Sequence, residues 1–210
     1  MTRFLVVFDV DSTLINEEAI EVLAEQAGVR KAVEAITEQA MLGEIDFAES
    51  LRRRVAMLEG ISESKLAAVK ASLTLTTGAK ELISAIHSKG GKAAAVSGGF
   101  TQLLGNIKLD LALDYVHANE LEISSNGVLT GRVTEPIVDR AAKARFLRQL
   151  QDDLNLTGEM TIAVGDGAND IDMIQAAGLG IAFCAKPALK QHADLVIDTR
   201  DLAGLIEYLP

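Results

Sequence analysis

Short apolar runs that stop at an acid or a glycine recur along this chain, with helical stretches between them. Residues 4–8 end at Asp9-Val10-Asp11-Ser12-Thr13-Leu14. Residues 92–96 end at Ser97-Gly98-Gly99, and residues 160–164 end at Gly165-Asp166-Gly167. Such runs read as short buried strands. Strands that alternate with helices make a mostly parallel sheet covered on both faces, and its ligands sit at the carboxyl ends of the strands. The pattern predicts an α/β fold in which these three loops open on one edge.

Between residues 15 and 76 the pattern is helical throughout. Ala19, Ile20, Leu23, Ala24 and Ala27 share one face, and Gly28 stops it. Val33, Ile36 and Ala40 continue the helical period to Gly43. Asp46 and Glu49 have the spacing of a capping box, and Ser62 can cap a further helix. This predicts a helical insertion at 15–76 in a core formed by 1–14 and 77–210. Within the core, helices are expected at 79–89, from about Phe100, at 139–154, 168–177 and 201–209. Strands are expected at 115–118, 180–184 and 195–198, and Ser125-Asn126-Gly127 marks a hairpin between 121 and 134.

Composition narrows the partners. A net charge of −10 disfavours nucleic acid and anionic membranes as non-specific partners. No apolar run reaches the roughly 18–20 residues of a membrane helix, and the N-terminus lacks a signal pattern. The single cysteine, Cys184, excludes an internal disulfide. A cytoplasmic protein with a small-molecule substrate is expected. Oligomeric state is not readable.

In an extended backbone Asp9 and Asp11 would point the same way, and two close carboxylates repel. Either a cation lies between them or they form an acid/base pair. Asp166, in its glycine-flanked turn, could be a third oxygen ligand, and Asn169 or Asp170 could cap the next helix. Ser97, at the expected start of a helix, could bind an anion with its hydroxyl and backbone N–H groups. Lys143 could neutralise a phosphate, although nothing sets it apart from Arg140, Arg145 and Arg148. A nucleophilic carboxylate, a second carboxylate, a cation, a hydroxyl and a lysine together suit phosphoryl transfer, with Asp9 attacking phosphorus and Asp11 moving protons.

In this order, Asp9-Val10-Asp11-Ser12-Thr13, Ser97-Gly98-Gly99, Lys143 and Gly165-Asp166-Gly167-Ala168-Asn169-Asp170 resemble the four motifs of the haloacid dehalogenase superfamily. The wider pattern, with Glu18, Met41, Phe47, Arg54, Phe100, Leu129-Thr130-Gly131 and the 181–187 tail, is similar to the phosphoserine phosphatases of that superfamily. Val10 departs from the aromatic residue often found there. The resemblance implies a Rossmann-like core with a helical cap that sets specificity. It also implies Mg²⁺-dependent hydrolysis of O-phospho-L-serine through an aspartyl phosphate, the last step of serine biosynthesis. The metal would rest on Asp9, Asp166 and the backbone carbonyl of Asp11, with Asp170 behind them. Glu18 would hold the substrate ammonium and Arg54 its carboxylate. Met41 and Phe47 would form apolar walls, and Ser97, Gly98, Gly99, Lys143 and Asn169 would surround the phosphate. No regulatory domain of the kind fused to some members is expected. The rival expectations are another small phosphoester as substrate, phosphoryl transfer to an alcohol acceptor, and a non-catalytic binding module.

Overall fold

The computed structural model describes residues 2–41 and 44–210, with Met41 by its backbone alone. The first strand, β1 (Leu5–Phe8), is buried on both sides. Phe4, Val6 and Phe8 face one core and Leu5 and Val7 the other, as the two-residue period of a strand requires. The remaining strands are β2 (Lys92–Phe100), β3 (Tyr115–Ile123), β4 (Leu129–Thr134), β5 (Thr161–Gly165), β6 (Leu179–Phe183) and β7 (Leu195–Ile197). They form one sheet in the order β4-β3-β2-β1-β5-β6-β7. All pairings are parallel except that of β3 with β4. Because β2, β1 and β5 are adjacent and parallel, the three acid- or glycine-bearing loops open on one edge, as the strand pattern predicted.

The Phe4 side of the sheet packs against α5 (Ala79–Ser88), α6 (Thr101–Asp110) and a 3₁₀ turn at Leu202–Tyr208. The Leu5 side packs against α7 (Arg140–Leu154), α8 (Ile171–Ala176) and α9 (Pro187–Lys190). Between β1 and β2 the chain forms α1 (Ala19–Ala27), α2 (Arg30–Met41), α3 (Phe47–Ala56) and α4 (Glu63–Ser72). Local signals end or start three of these helices. Gly28 closes α1 in the left-handed region (φ 73°). The Asp46 carboxylate accepts the Glu49 N–H at 2.8 Å, and Ser62 accepts that of Lys65 at 3.4 Å. The capping box is half made, because the Glu49 carboxylate turns to Arg53. The expected stop at Gly43 lies outside the described residues.

These four helices share a core of their own with Phe100, Leu103, Leu121 and Leu129, so the β3–β4 hairpin packs with them. Backbone hydrogen bonds join the two: Gly60 N–H to Leu129 O, Leu129 N–H to Ile61 O, and Glu63 N–H to Gly127 O. The chain leaves and returns through two linkers that pair antiparallel at Ile15 and Leu75.

Four expectations need correction. First, β2 does not stop at Val96 but continues to Phe100, slipping register against β3 between Ser97 and Phe100, and α6 starts only at Thr101. Second, residues 115–123 are one strand rather than two, because Asn119 and Glu120 stay within the sheet. Third, the last helix is a 3₁₀ turn. Fourth, the four-residue α9 was not anticipated, being too short to show a period.

Candidate active site

β1 ends at Phe8, and the backbone then turns sharply. Asp11 is extended (φ −60°, ψ 134°) and Ser12 is left-handed (φ 56°, ψ 4°). Asp9 and Asp11 therefore do not lie on one continuous strand face, and their carboxylates meet different partners. Asp9 Oδ1 accepts the Val10 N–H at 2.7 Å and lies 2.7 Å from the Lys143 ammonium. The Asp11 carboxylate instead accepts the Ala19 N–H at 2.9 Å and the Ser97 hydroxyl at 3.2 Å.

Lys143 is only 1% exposed, unlike the basic residues around it. Asp139 caps α7 by accepting the Ala142 N–H at 2.7 Å, and the first turn aims Lys143 inward. Its ammonium also donates to Asp170 Oδ1 at 2.7 Å. Asp170 Oδ2 accepts the N–H groups of Asp166 and Gly167, each at 3.1 Å. Asp170 thus shapes the turn that carries Asp166. A Cβ at Gly165 would lie 2.5 Å from the Asp170 carboxylate, so only glycine fits there.

The carboxylates of Asp9, Asp166 and Asp170 come within 4.8 Å of one another and are buried. Lys143 meets Asp9 and Asp170 at 2.7 Å, while the half-exposed Lys186 reaches Asp166 at 4.0 Å, so three carboxylates against two ammonium groups keep a surplus of negative charge. Burial, with Asp170 close by, pushes the Asp166 carboxyl up to about 7. Asp9 is raised by burial and by Asp170, against the pull of Lys143. A hard cation with oxygen ligands fits this surplus in sign and in the chemistry of its donors. Asp170 already has both oxygens engaged, which leaves Asp9 and Asp166 with free lone pairs toward such an ion.

The Ser97 hydroxyl accepts the Gly99 N–H at 2.8 Å, so that donor is occupied rather than free as the helix-start reading required. A Cβ at Gly99 would lie 2.7 Å from Asp11 Oδ2, and one at Gly98 would lie 3.0 Å from the Phe47 ring. These glycines let Asp11 and α3 approach β2 closely. Asn119, 1% exposed, donates to Gly98 O and accepts from Val138 N–H, fixing the β2 loop to the start of α7. Sequence reasoning missed it. The expected strand ended at residue 118, so nothing in the sequence placed Asn119 in the sheet. Asn169 is half-buried beside the Gly167 turn.

Above Asp11 stand residues of the inserted helices. Glu18 is the N-cap residue of α1 and accepts the Ser12 hydroxyl at 2.8 Å. Burial, with Glu18 nearby, pushes the Asp11 carboxyl up to about 6. Arg54 turns inward from α3, where Glu18 and Asp11 favour its charge against the cost of burial. Its neighbours Arg52 and Arg53 pair with Glu135 and Glu49 at the surface. Arg54 makes no ion pair among the described residues. The Met41 side chain lies outside the described residues.

The family model of haloacid dehalogenase-like hydrolases matches residues 6–175. A phosphoserine phosphatase of Mycobacterium tuberculosis is 53% identical over 193 residues, 92% of this chain but 47% of that protein. The phosphoserine phosphatase of Lactococcus lactis is 48% identical over 205 residues, covering 98% of this chain and 94% of the relative. A solved phospho-aspartyl intermediate analogue of phosphoserine phosphatase superposes with a TM-score of 0.94 at 42% identity, covering 100% of both chains. No helix among the described residues is long and apolar enough to cross a membrane. This chain belongs to the haloacid dehalogenase-like hydrolases and, within them, to the phosphoserine phosphatases.

Proposed function

We propose that this chain hydrolyses O-phospho-L-serine to serine and phosphate, with residues 15–76 serving as a cap over a core of 1–14 and 77–210. The observation that carries the substrate is Arg54. A half-buried guanidinium without a carboxylate partner favours an anionic ligand. Glu18, close by, suits an ammonium, and together they match a zwitterion. Phe47, packed on Gly98, supplies an apolar wall, and Met41 is assigned another.

In this reading Asp9 is the nucleophile. Lys143 and the Val10 N–H hold its Oδ1, leaving Oδ2 to attack phosphorus. Asp11 gives its proton to the departing serine oxygen and later takes one from the attacking water. Its raised pKa keeps part of the population protonated near neutrality. Ser97 and Lys143 hold phosphoryl oxygens, with Gly98, Gly99 and Asn169 around them. Asp9 and Asp166, with the Asp11 carbonyl, would hold Mg²⁺, and Asp170 would keep the Asp166 turn in place. When bound, the cation would screen Asp9 from the phosphate dianion and stabilise charge on the equatorial oxygens.

A phosphate-release panel tests the substrate. Phosphoserine, homoserine phosphate and phosphoethanolamine are compared with and without EDTA. Arg54→Met should raise KM for phosphoserine by about 10- to 150-fold, the worth of a hydrogen-bonded charge pair. Phosphoethanolamine, lacking the carboxylate, should be little affected. Equal losses on both substrates would remove Arg54 from carboxylate recognition.

The acidic cluster makes a second prediction. The metal-free folded state binds more protons at Asp166 than the unfolded chain does between pH 3.8 and about 7. That contribution favours folding in acid and is lost as the pH rises through about 7. Mg²⁺ at saturating concentration should therefore raise Tm by roughly 5–10 °C at pH 8, and by much less at pH 5. A shift independent of pH, or an unchanged shift in Asp166→Asn, would count against this site.

A further inference from the structure

Arg200, far along the chain from every motif, gathers the backbone of the loop that carries Asp9, Asp11 and Glu18. Its Nε donates to Asn16 Oδ1 at 3.0 Å. Its Nη2 lies 3.3 Å from Ser12 O, 3.4 Å from Ile15 O and 3.5 Å from Asn16 O. Three carbonyls of the turn thus converge on one planar cation. Asn16 passes the link onward, donating through Nδ2 to Thr74 Oγ1 at 3.0 Å and Leu75 O at 3.1 Å. Glu17 adds bonds to the Thr74 N–H and hydroxyl at 2.9 and 2.6 Å. The segment after Arg200 grips the returning linker as well. Leu202 N–H donates to Thr77 O at 2.8 Å. Gly78 (φ 77°) sits so close to Ala203 that a Cβ would lie 2.2 Å from its nitrogen.

Ser12 is the weak point of the loop, because a left-handed serine is strained. On one side its hydroxyl holds Glu18 at 2.8 Å. On the other, its carbonyl is held by Arg200. We propose that Arg200 is a positioning residue for the reaction: by gathering the Ser12, Ile15 and Asn16 carbonyls, it locks the turn that aims Asp11 and Glu18. This rests on the roles given above to those two residues. Arg200 touches neither substrate nor reacting atoms, and its effect passes through the loop.

The test compares wild type with Arg200→Met, which keeps the stem, and Arg200→Lys, which keeps the charge but has a single donor nitrogen. Phosphate release and amide hydrogen exchange are both measured. Arg200→Met should lower kcat about tenfold, with a smaller change in KM, because a small displacement of Asp11 costs mainly in the transition state. Arg200→Lys should recover part of this loss. Exchange should quicken at residues 12–18 in the substrate-free protein. If exchange quickens only at 199–209 while kcat is unchanged, Arg200 merely anchors the C-terminal segment and the proposal is overturned. Should wild type itself release no phosphate from phosphoserine, the function reading fails, and the exchange result at 12–18 still decides whether Arg200 locks the loop. Should Arg200→Met fail to fold, Arg200→Lys provides both readings.

Discussion

Asp9→Asn will release phosphate from phosphoserine at least about 10⁴-fold more slowly than wild type, while its fold survives. An amide is nearly isosteric with a carboxylate, so the fold has no steric reason to fail. Its oxygen can still accept from the Val10 N–H and from Lys143, as Oδ1 does now. The other position then becomes an NH₂ group, which has no lone pair to attack phosphorus. Removing one of three crowded carboxylates also relieves repulsion, so the metal-free variant should melt no lower than wild type. Acid quenching during turnover of ³²P-labelled phosphoserine should label wild type and not the variant. A variant retaining more than a few per cent of activity, or one that takes up label, would remove Asp9 as nucleophile.

Lys143→Met will damage stability and chemistry together. The ammonium is the only cation within ion-pair distance of both Asp9 and Asp170 among the described residues. Its loss leaves buried carboxylates facing one another, a change that costs about 3–5 kcal/mol when a buried pair is broken. For a chain of this size that lowers Tm by roughly 6–20 °C. Without Lys143, which pulls the Asp9 pKa down, Asp9 titrates higher still. The carboxylates escape the penalty by taking up protons, so the loss should be largest at pH 8 and shrink toward pH 5. Turnover should fall about 10²–10³-fold, the usual cost of removing one donor from a developing anion. Adding Asp170→Asn should restore stability without restoring turnover. Melting curves at the two pH values check the electrostatic part. An unchanged Tm would mean that the ammonium does not offset the carboxylates.

What could be read from the chain divides along the range of the forces involved. Gly28, Asp46 and Ser62 act on backbone groups three or four residues away, so their helix ends were visible locally. The strand-end loops were visible because alternation dictates topology, and topology puts neighbouring parallel strands at one edge. Lys143 was not separable from Arg140, Arg145 and Arg148, because its burial depends on β1 and α8 arriving from elsewhere in the chain. Asn119 and the shaping role of Asp170 were hidden for the same reason. The error over Asp9 and Asp11 was of another kind. The two-residue period holds only while the strand lasts, and the backbone leaves it at Val10. The same turn that spoils the period sends Asp11 to Ser97 and Asp9 to Lys143, so the two carboxylates meet different partners.

The hydrogen bonds from residues 60–63 to the tip of the β3–β4 hairpin restrict the freedom of the inserted helices. A body attached along a single line can rotate about it as a door does. The paired linkers at Ile15 and Leu75 form such a line near the centre of the sheet. The hairpin, at the edge of the sheet, fastens the far side of the same body, and a door fastened at both jambs does not swing. A swing of the whole panel about the linkers would have to break these hydrogen bonds. The start of α1 is tied to the core as well, where the Ala19 N–H meets the Asp11 carboxylate.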